Sequence, residues 1–257
     1  MALTGKSKKD TYKDLLELDN SNAGLPATTP KVLKDGLGNS SALRVSKDKV
    51  QIKNNTTDST TLLTVDNSGG TTIFAVDGSN ALVKVNTSQN YANTQYVRFS
   101  ARQLNAVANT WYPLYWGDGG ITTDVADTLG TSGTPATTLT ASFYGVFKYW
   151  YIHDNITLDA VRVFHMGDDS ASTDTLQYSL NAFTVDTSGS GSGDLSSGVV
   201  HASSSSQTID NADMDTHTLT LGTPNIDAGK VALMLVRGGS SINNDITASV
   251  HIKYHIR

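Results

Sequence analysis

The stretch Ile246-Thr247-Ala248-Ser249-Val250-His251-Ile252-Lys253-Tyr254-His255-Ile256 alternates apolar and polar residues without interruption. This period of two is typical of a β-strand with one buried face and one face in solvent or in an interface. Hydrophobic residues (38%) and charged residues (17%) are both scarce, because Ser, Thr, Asn and Gly are abundant. The single glutamate, Glu17, lies in the one segment with helical spacing. The sequence therefore predicts a folded, polar and mainly β protein.

Shorter strand-like segments precede this closing stretch. They carry apolar residues at alternate or consecutive positions, at 96–99, 111–116, 143–152, 156–166, 176–183, 219–221 and 231–236. Segment 143–152 is apolar on both faces, which favours the centre of a sandwich. Residues 117–142 are predicted to form a long loop, and the Ser- and Gly-rich residues 187–206 a flexible one. Roughly eight strands with long polar loops predict a C-terminal antiparallel β-sandwich of jelly-roll type over residues 91–257.

Short apolar pairs characterise a second region, residues 42–90. The pairs are Leu43 and Val45, Val50 and Ile52, Leu63 and Val65, Phe74 and Val76, and Val83 and Val85. Two phrases, 63–69 and 74–79, repeat an alternating strand followed by turn residues after about eleven positions. Such short strands must either stack on copies from other chains or form an ordinary β-meander within one chain. The first alternative places six residues in a shared trimer interior: Leu63, Val65, Phe74, Val76, Val83 and Val85.

One short helix is predicted within an N-terminal segment, residues 1–41. Ser7 and Asp10 resemble a capping pair, and the polar run 19–22 ends the helical spacing. An amphipathic helix with so narrow an apolar face is marginal alone, so it must dock on another protein or on its own domain. We expect its apolar residues to make an attachment contact: Tyr12, Leu15 and Leu16.

Composition and charge exclude several classes of function. The net charge is −5, and the cations are concentrated before Arg102, so nucleic acid is an unsuitable partner. The absence of cysteine excludes disulfide scaffolds, thiol nucleophiles and Cys-ligated metal centres. The basic first residues lack an apolar core, and no apolar run approaches membrane-spanning length. We therefore expect no signal peptide and no membrane association.

Two segments resemble catalytic or nucleotide-binding motifs, but each lacks residues that the motif requires. The run 189–193 places Gly where an esterase elbow needs its central Ser, and Gly229-Lys230 lacks the flanking residues of a phosphate-binding loop. The pair Asp168-Asp169 reads as turn carboxylates whose side chains point apart. The sequence therefore predicts a protein that is not an enzyme and that has no catalytic or cofactor-binding residues.

Metal ligation is not predicted either. The cluster Asp210, Asp213 and Asp215 offers oxygen ligands, but it lacks the spacing, the central Gly and the terminal Glu of a calcium-binding loop. On a strand, His251 and His255 are separated by about 13 Å, which is too far for one ion within one chain, although in a trimer each could meet its copies on an axis. The two histidines therefore indicate a polar strand face.

The aromatic residues allow two interpretations. Three tryptophans lie among tyrosines in segments 111–116 and 149–151, where they could pack as core or offer flat faces to sugar rings. In the second case the glycan-contacting residues are Trp111, Trp116 and Trp150. Core packing is the simpler interpretation.

Two N-terminal runs carry a family resemblance. They are Lys6-Ser7-Lys8-Lys9-Asp10-Thr11-Tyr12-Lys13-Asp14-Leu15-Leu16-Glu17-Leu18-Asp19-Asn20-Ser21-Asn22 and Val32-Leu33-Lys34-Asp35-Gly36-Leu37-Gly38-Asn39-Ser40-Ser41-Ala42-Leu43. This part of the chain resembles the N-terminal segment of virion appendage proteins of tailed bacteriophages, of the fibre and decoration type. The resemblance covers about the first third of the chain and implies strand repeats followed by a variable β-domain, often in a trimer.

The resemblance implies a virion structural protein assembled in the host cytoplasm. The expected form is a homotrimeric fibre or tail-associated appendage, attached to capsid or tail proteins by its N-terminus, with the sandwich outward for host adsorption. A capsid decoration or cement protein that stabilises the head is one alternative. A host-glycan-binding module is another, with a host surface glycan as its partner.

Overall fold

The computed structural model describes residues 16–21, 23–79, 82–85, 90–91, 94–117, 128–140, 145–167, 174–188, 194–209, 213–239 and 245–257. The chain divides into two compact units, Met1–Ala92 and Asn93–Arg257. Across the described ranges, strands dominate and pair antiparallel, which confirms a mainly β protein. No helix among those ranges is both long and apolar enough to cross a bilayer.

Among its described residues, the first unit forms two four-stranded sheets. One has the strand order β1(Glu17–Leu18), β2(Lys31–Lys34), β3(Ser40–Val45) and β4(Val50–Ile52). The other has the order β5(Leu63–Asp66), β6(Thr72–Asp77), β7(Leu82–Val85) and β8(Asn90–Tyr91). Strands β3 to β7 contain the predicted apolar pairs, so the alternating pattern located them correctly.

The second unit contains the longer strands of the chain. They are β9(Thr94–Asn105), β10(Trp111–Pro113), β11(Tyr115–Trp116), β12(Trp150–Tyr151), β13(Ile156–Gly167), β14(Thr175–Val185), β15(Leu195–Ser203), β16(Gln207–Thr208), β17(Asp215–Thr218), β18(Thr220–Leu221), β19(Asn225–Ile226), β20(Lys230–Gly238) and β21(Asp245–Ile256). A seven-stranded sheet runs β10-β20-β14-β15-β18, with β12 beside β20 and β16 beside β14. A six-stranded sheet runs β11-β9-β21-β13-β17, with β19 beside β13.

A continuous core lies between these two sheets. Phe99, Val163 and Val250 of the six-stranded sheet are buried in the same cluster as Leu180 and Met234 of the seven-stranded sheet. Each side chain of this size contributes about 1.5–3 kcal/mol when it leaves water. The second unit is therefore an antiparallel β-sandwich, as the sequence predicts.

The seven-stranded sheet is buried on its other face as well. Alternate residues of β20 point there, and they pack with Trp111, Phe183 and Leu129 in a second apolar cluster. Residues 128–140 of the predicted loop cover this face, with Leu129 fully buried and Leu139 bridged to Leu195. Burial on both faces explains why β20 reads as an unbroken apolar run.

Three sequence predictions need correction. Segment 143–152 is not a central strand: its described part forms a 3₁₀ turn, Gly145–Lys148, followed by the two-residue edge strand β12. The predicted flexible loop 187–206 contains β15, which pairs along β14. The predicted helix lies mostly outside the described residues, and at its end Glu17–Leu18 is a strand paired with Leu33 and Lys34.

The closing strand β21 follows its predicted alternation up to Ile252. Beyond it, His255 is buried within the chain although its side of the strand was predicted to face solvent or an interface, and Ile256 is 38% exposed. A β-bulge at Asp159 on the neighbouring strand explains the burial, because its carboxylate lies 2.9 Å from His255 Nδ1. A single-strand pattern contains no information on such a bulge.

Candidate binding surfaces

Strands β5, β6 and β7 bring the six predicted interior residues onto one face. The register aligns Leu63, Val76 and Val83 in one row, and Val65, Phe74 and Val85 in the next. Directly opposed residues share a sheet face, so the two rows form one continuous apolar surface. Within the described residues it stays largely uncovered, with Val65 51%, Val85 42% and Val83 38% exposed. We name these six residues the apolar face.

The first sheet repeats this arrangement on a smaller scale. Leu43 opposes Ile52 and Val45 opposes Val50, so four aliphatic side chains share one face. Val50 is 69% exposed, and Leu43 and Ile52 are each 37% exposed. Exposed apolar patches of this kind mark association surfaces more often than scattered single residues do.

An ion pair and a backbone hydrogen bond stabilise one end of the second sheet. Asp77 is fully buried, and Lys84 Nζ lies 2.7 Å from its Oδ2. Gly78 N donates to Ser59 O, and a Cβ at Gly78 would lie 3.4 Å from that same oxygen. The segment before β5 thus packs against this end of the sheet.

A basic row crosses the outer face of the six-stranded sheet. Arg98 of β9 opposes His251 of β21, and His251 opposes Arg162 of β13. Lys253 lies two residues along the same face, and Arg102 lies farther along β9. Among the described residues, no carboxylate pairs with Arg102, Arg162 or Lys253. We name Arg98, His251 and Arg162 the basic row.

A groove of about 510 Å³ lies beside this row on the same face. Its lining combines guanidinium groups, hydroxyls and apolar surface: Arg98, Arg102, Ser249, Thr247, Phe164 and Met166. Arg98 Nε donates to Ser249 Oγ at 3.0 Å, and the Phe164 ring meets the His251 ring edge to face at 5.6 Å. These contacts fix the orientation of the polar groups above an aromatic surface.

The sandwich interior contains a buried histidine–tyrosine network. His165 Nδ1 lies 2.9 Å from Tyr178 Oη, and His165 Nε2 lies 3.3 Å from His217 Nε2. Burial, reinforced by the neighbouring His217, lowers the pKa of His165 to about 4, although Asp215 opposes the shift. Burial also raises the pKa of Tyr178 above its usual value. At neutral pH both groups are uncharged, so the network acts as a satisfied polar element of the core.

This network predicts a loss of stability in acid. An unfolded histidine has a pKa of about 6.5, so between pH 6.5 and 4 the unfolded chain binds a proton that folded His165 does not. Stability therefore falls as pH falls through this window, by about 2–3 kcal/mol from pH 7 to pH 4.5. Urea unfolding at the two pH values measures the change.

The variant His165→Gln keeps a hydrogen-bonding side chain but cannot titrate. Its free energy of unfolding should therefore fall less between the two pH values than that of the wild type. His153→Gln, at an exposed position, serves as the matched control. Equal acid sensitivity in the wild type and in His165→Gln would contradict the assignment.

The predicted glycan-contacting tryptophans do not form one platform. Trp111 and Trp150 are 3% and 7% exposed, and Trp150 packs against Phe99 and Tyr254. Trp111 Nε1 donates to Ser132 O. Only Trp116 among the three is open, at 54% exposed. Two of the three side chains therefore belong to the core.

The remaining predicted sites are placed as follows. Leu16 is 65% exposed, whereas Tyr12 and Leu15 lie outside the described residues. Asp168, Asp169 and Asp210 also lie outside them. In the described part of the chain, no three His, Asp or Glu side chains are arranged to hold a metal ion.

The basic row was not found from the sequence. His251 was read as part of a polar strand face, but the sequence does not show that β9 and β13 flank β21. Arg98 and Arg162 lie far apart along the chain, so only the register of the sheet brings them together.

Comparison with known proteins gives no family assignment. No protein-family model matches the chain, and neither does any curated protein. A chain in the structure of infectious bursal disease virus, Gx strain, is 7% identical with a TM-score of 0.30, over 87% of this chain and 41% of the viral one. The structure of Eiger TNF from S. frugiperda is 10% identical with a TM-score of 0.27, over 64% of this chain and 93% of that chain.

Proposed function

We propose that this chain is a non-enzymatic virion structural protein of a tailed bacteriophage. It forms a homotrimeric fibre or tail-associated appendage that attaches by its N-terminal segment and presents a jelly-roll-like sandwich outward for host adsorption. The resemblance of residues 6–22 and 32–43 to phage appendage proteins supports the virion assignment. The uncovered apolar face supports self-association, and it is the observation that carries the proposal.

A second copy of the chain suits the apolar face better than a charged partner. The six side chains carry no polar group, so only another apolar surface can cover them without leaving a polar group unpaired. Copies around a three-fold axis each present the same face inward, and this closed arrangement limits the assembly. Burial of an aliphatic or aromatic side chain stabilises such an assembly by about 1.5–3 kcal/mol.

Attachment to the particle is tested by deleting residues 1–16, which leaves strand β1 (Glu17–Leu18) in place. We expect the truncated chain to remain soluble and to disappear from purified particles, because the proposed docking residues Tyr12, Leu15 and Leu16 are lost. Immunoblotting of particles purified on a density gradient measures incorporation and, after separation of heads from tails, gives its position.

Two point variants refine this experiment. Leu16→Ser removes one exposed apolar side chain of the docking segment, and Leu25→Ser removes another just outside it. We expect only the first to lower incorporation. Unchanged incorporation of the truncated chain would refute N-terminal attachment.

A further inference from the structure

Residues 215–221 connect the edges of the two sheets of the sandwich. Strand β17, at the edge of the six-stranded sheet, pairs with β13 over four residues, and strand β18, at the edge of the seven-stranded sheet, pairs with β15 over two. Between these strands, Leu219 is buried in the core, and its N–H donates to Val161 O at 2.9 Å. We name residues 215–221 the edge strap. Its short pairings favour local opening, because few hydrogen bonds hold it on either sheet.

A pair of histidine side chains joins the edge strap to the interior. His217 Nε2 lies 3.3 Å from Nε2 of His165, which is 1% exposed. On its other side, His165 Nδ1 lies 2.9 Å from Tyr178 Oη of the seven-stranded sheet. A neutral imidazole carries one N–H, so one of the two facing Nε2 atoms donates and the other accepts. The contact between the two rings therefore requires one Nε2 atom without a proton.

This pair of rings tolerates one added proton but not two. After the first, a single hydrogen still lies between the facing nitrogens, so the N–H···N hydrogen bond survives. A second proton places a hydrogen on both nitrogens and two positive charges 3.3 Å apart. One of these charges belongs to His217 on the edge strap, so separation of the strap from β13 relieves the repulsion.

The groups around the pair offset only part of this charge. Asp215 Oδ2, also on the edge strap, lies 3.9 Å from His165 Nε2 and balances one positive charge. Tyr178 is fully buried, and burial raises its pKa, so it supplies no negative charge. On β21 the residue opposite His165 is Ala248, and on β9 Arg102 lines the groove that His165 also borders. One carboxylate thus faces two protonated rings, with an arginine near by.

We propose that protonation of both His165 and His217 opens the edge strap in acid while the two sheets of the sandwich stay folded. Burial, reinforced by the neighbouring His217, lowers the pKa of His165 to about 4, so the second proton binds only in acidic solution. Both rings are hydrated once the strap has left β13, so proton uptake favours the open form. Opening exposes Leu219 and the adjoining side of the core, whereas β13 keeps its long pairing with β21.

Hydrogen exchange of the full chain, followed by mass spectrometry at pH 7.5 and pH 4, tests this proposal. Labelling times are scaled to the intrinsic exchange rate at each pH. We expect the protection of residues 215–219 to fall by about tenfold or more in acid. At pH 4 these residues should be at least about tenfold less protected than residues 231–236 of the central strand β20.

The variant His217→Gln isolates the histidine pair. Glutamine keeps a hydrogen-bonding group at this partly buried position but takes up no proton. The loss of protection of the edge strap between the two pH values should be at least about threefold smaller than in the wild type. His251→Gln, at an exposed position on the outer face of β21, is the matched control and should behave as the wild type does.

Three results would overturn the proposal. The first is equal protection of the edge strap at the two pH values. The second is an equal loss in His217→Gln and the wild type, which would assign the opening to other groups. The third is equal protection of residues 215–219 and 231–236 at pH 4, which would mean that the strap opens only when the whole sandwich unfolds.

Discussion

Replacing Val65 and Val85 together by Asp is expected to convert the protein from a trimer to a monomer. The two side chains flank Phe74 in one row of the apolar face and are 51% and 42% exposed within a single chain. In a closed trimer they lie in the shared interior, so the double variant would bury six unpaired carboxylates. Burying even one costs several kcal/mol. Multi-angle light scattering at micromolar concentration should show a fall from three times 27.3 kDa to 27.3 kDa.

The exposed positions make this experiment selective. A charge at a half-exposed position costs a monomer little, so the variant should retain its strand content by circular dichroism. Val199→Asp, at a position 48% exposed in the sandwich, is the matched control and should remain a trimer. A wild-type chain that is a stable monomer would refute the trimer and favour the ordinary β-meander.

Sequence periodicity located most strands because each has a short, local signature. Leu63 to Val65 and Ile246 to Ile252 alternate in the sequence and occupy strands in the structure. The pattern failed where burial does not alternate. Segment 143–152 is apolar because Trp150, in the edge strand β12, and Ile152, directly after it, enter the core. Composition alone does not distinguish this arrangement from a central strand.

A candidate site could be predicted from the sequence only where its residues lie on strands that follow one another directly along the chain. The apolar face joins three consecutive strands, so its six residues could be named in advance. The basic row joins β9, β21 and β13, whose residues meet only through long-range pairing. No local pattern contains that pairing, and the same holds for the bulge at Asp159 that buries His255.

Strand β15 shows how composition misled the prediction of a flexible loop. Its residues Ser196, Ser197 and Gly198 are typical of loops, yet they pair with β14 around a bulge. Ser197 and Gly198 lie between the partners of Ala182 and Thr184, opposite Phe183, and Gly198 N donates to Thr137 O. Small residues are needed here because the Phe183 ring occupies the space above the strand.

Gly198→Ala is therefore expected to destabilise the sandwich by about 1–3 kcal/mol, because its Cβ would overlap the Phe183 ring. Phe183→Leu should restore that space, so the double variant should lose less than the two single variants together, with a coupling energy of about 0.5–3 kcal/mol. Urea unfolding followed by tryptophan fluorescence measures this, since all three tryptophans lie in the second unit. Gly222→Ala, where nothing lies within 4 Å of the new Cβ, should change stability by less than about 0.5 kcal/mol. Equal stabilities of Gly198→Ala and Gly222→Ala would contradict the close packing of Gly198 against the Phe183 ring.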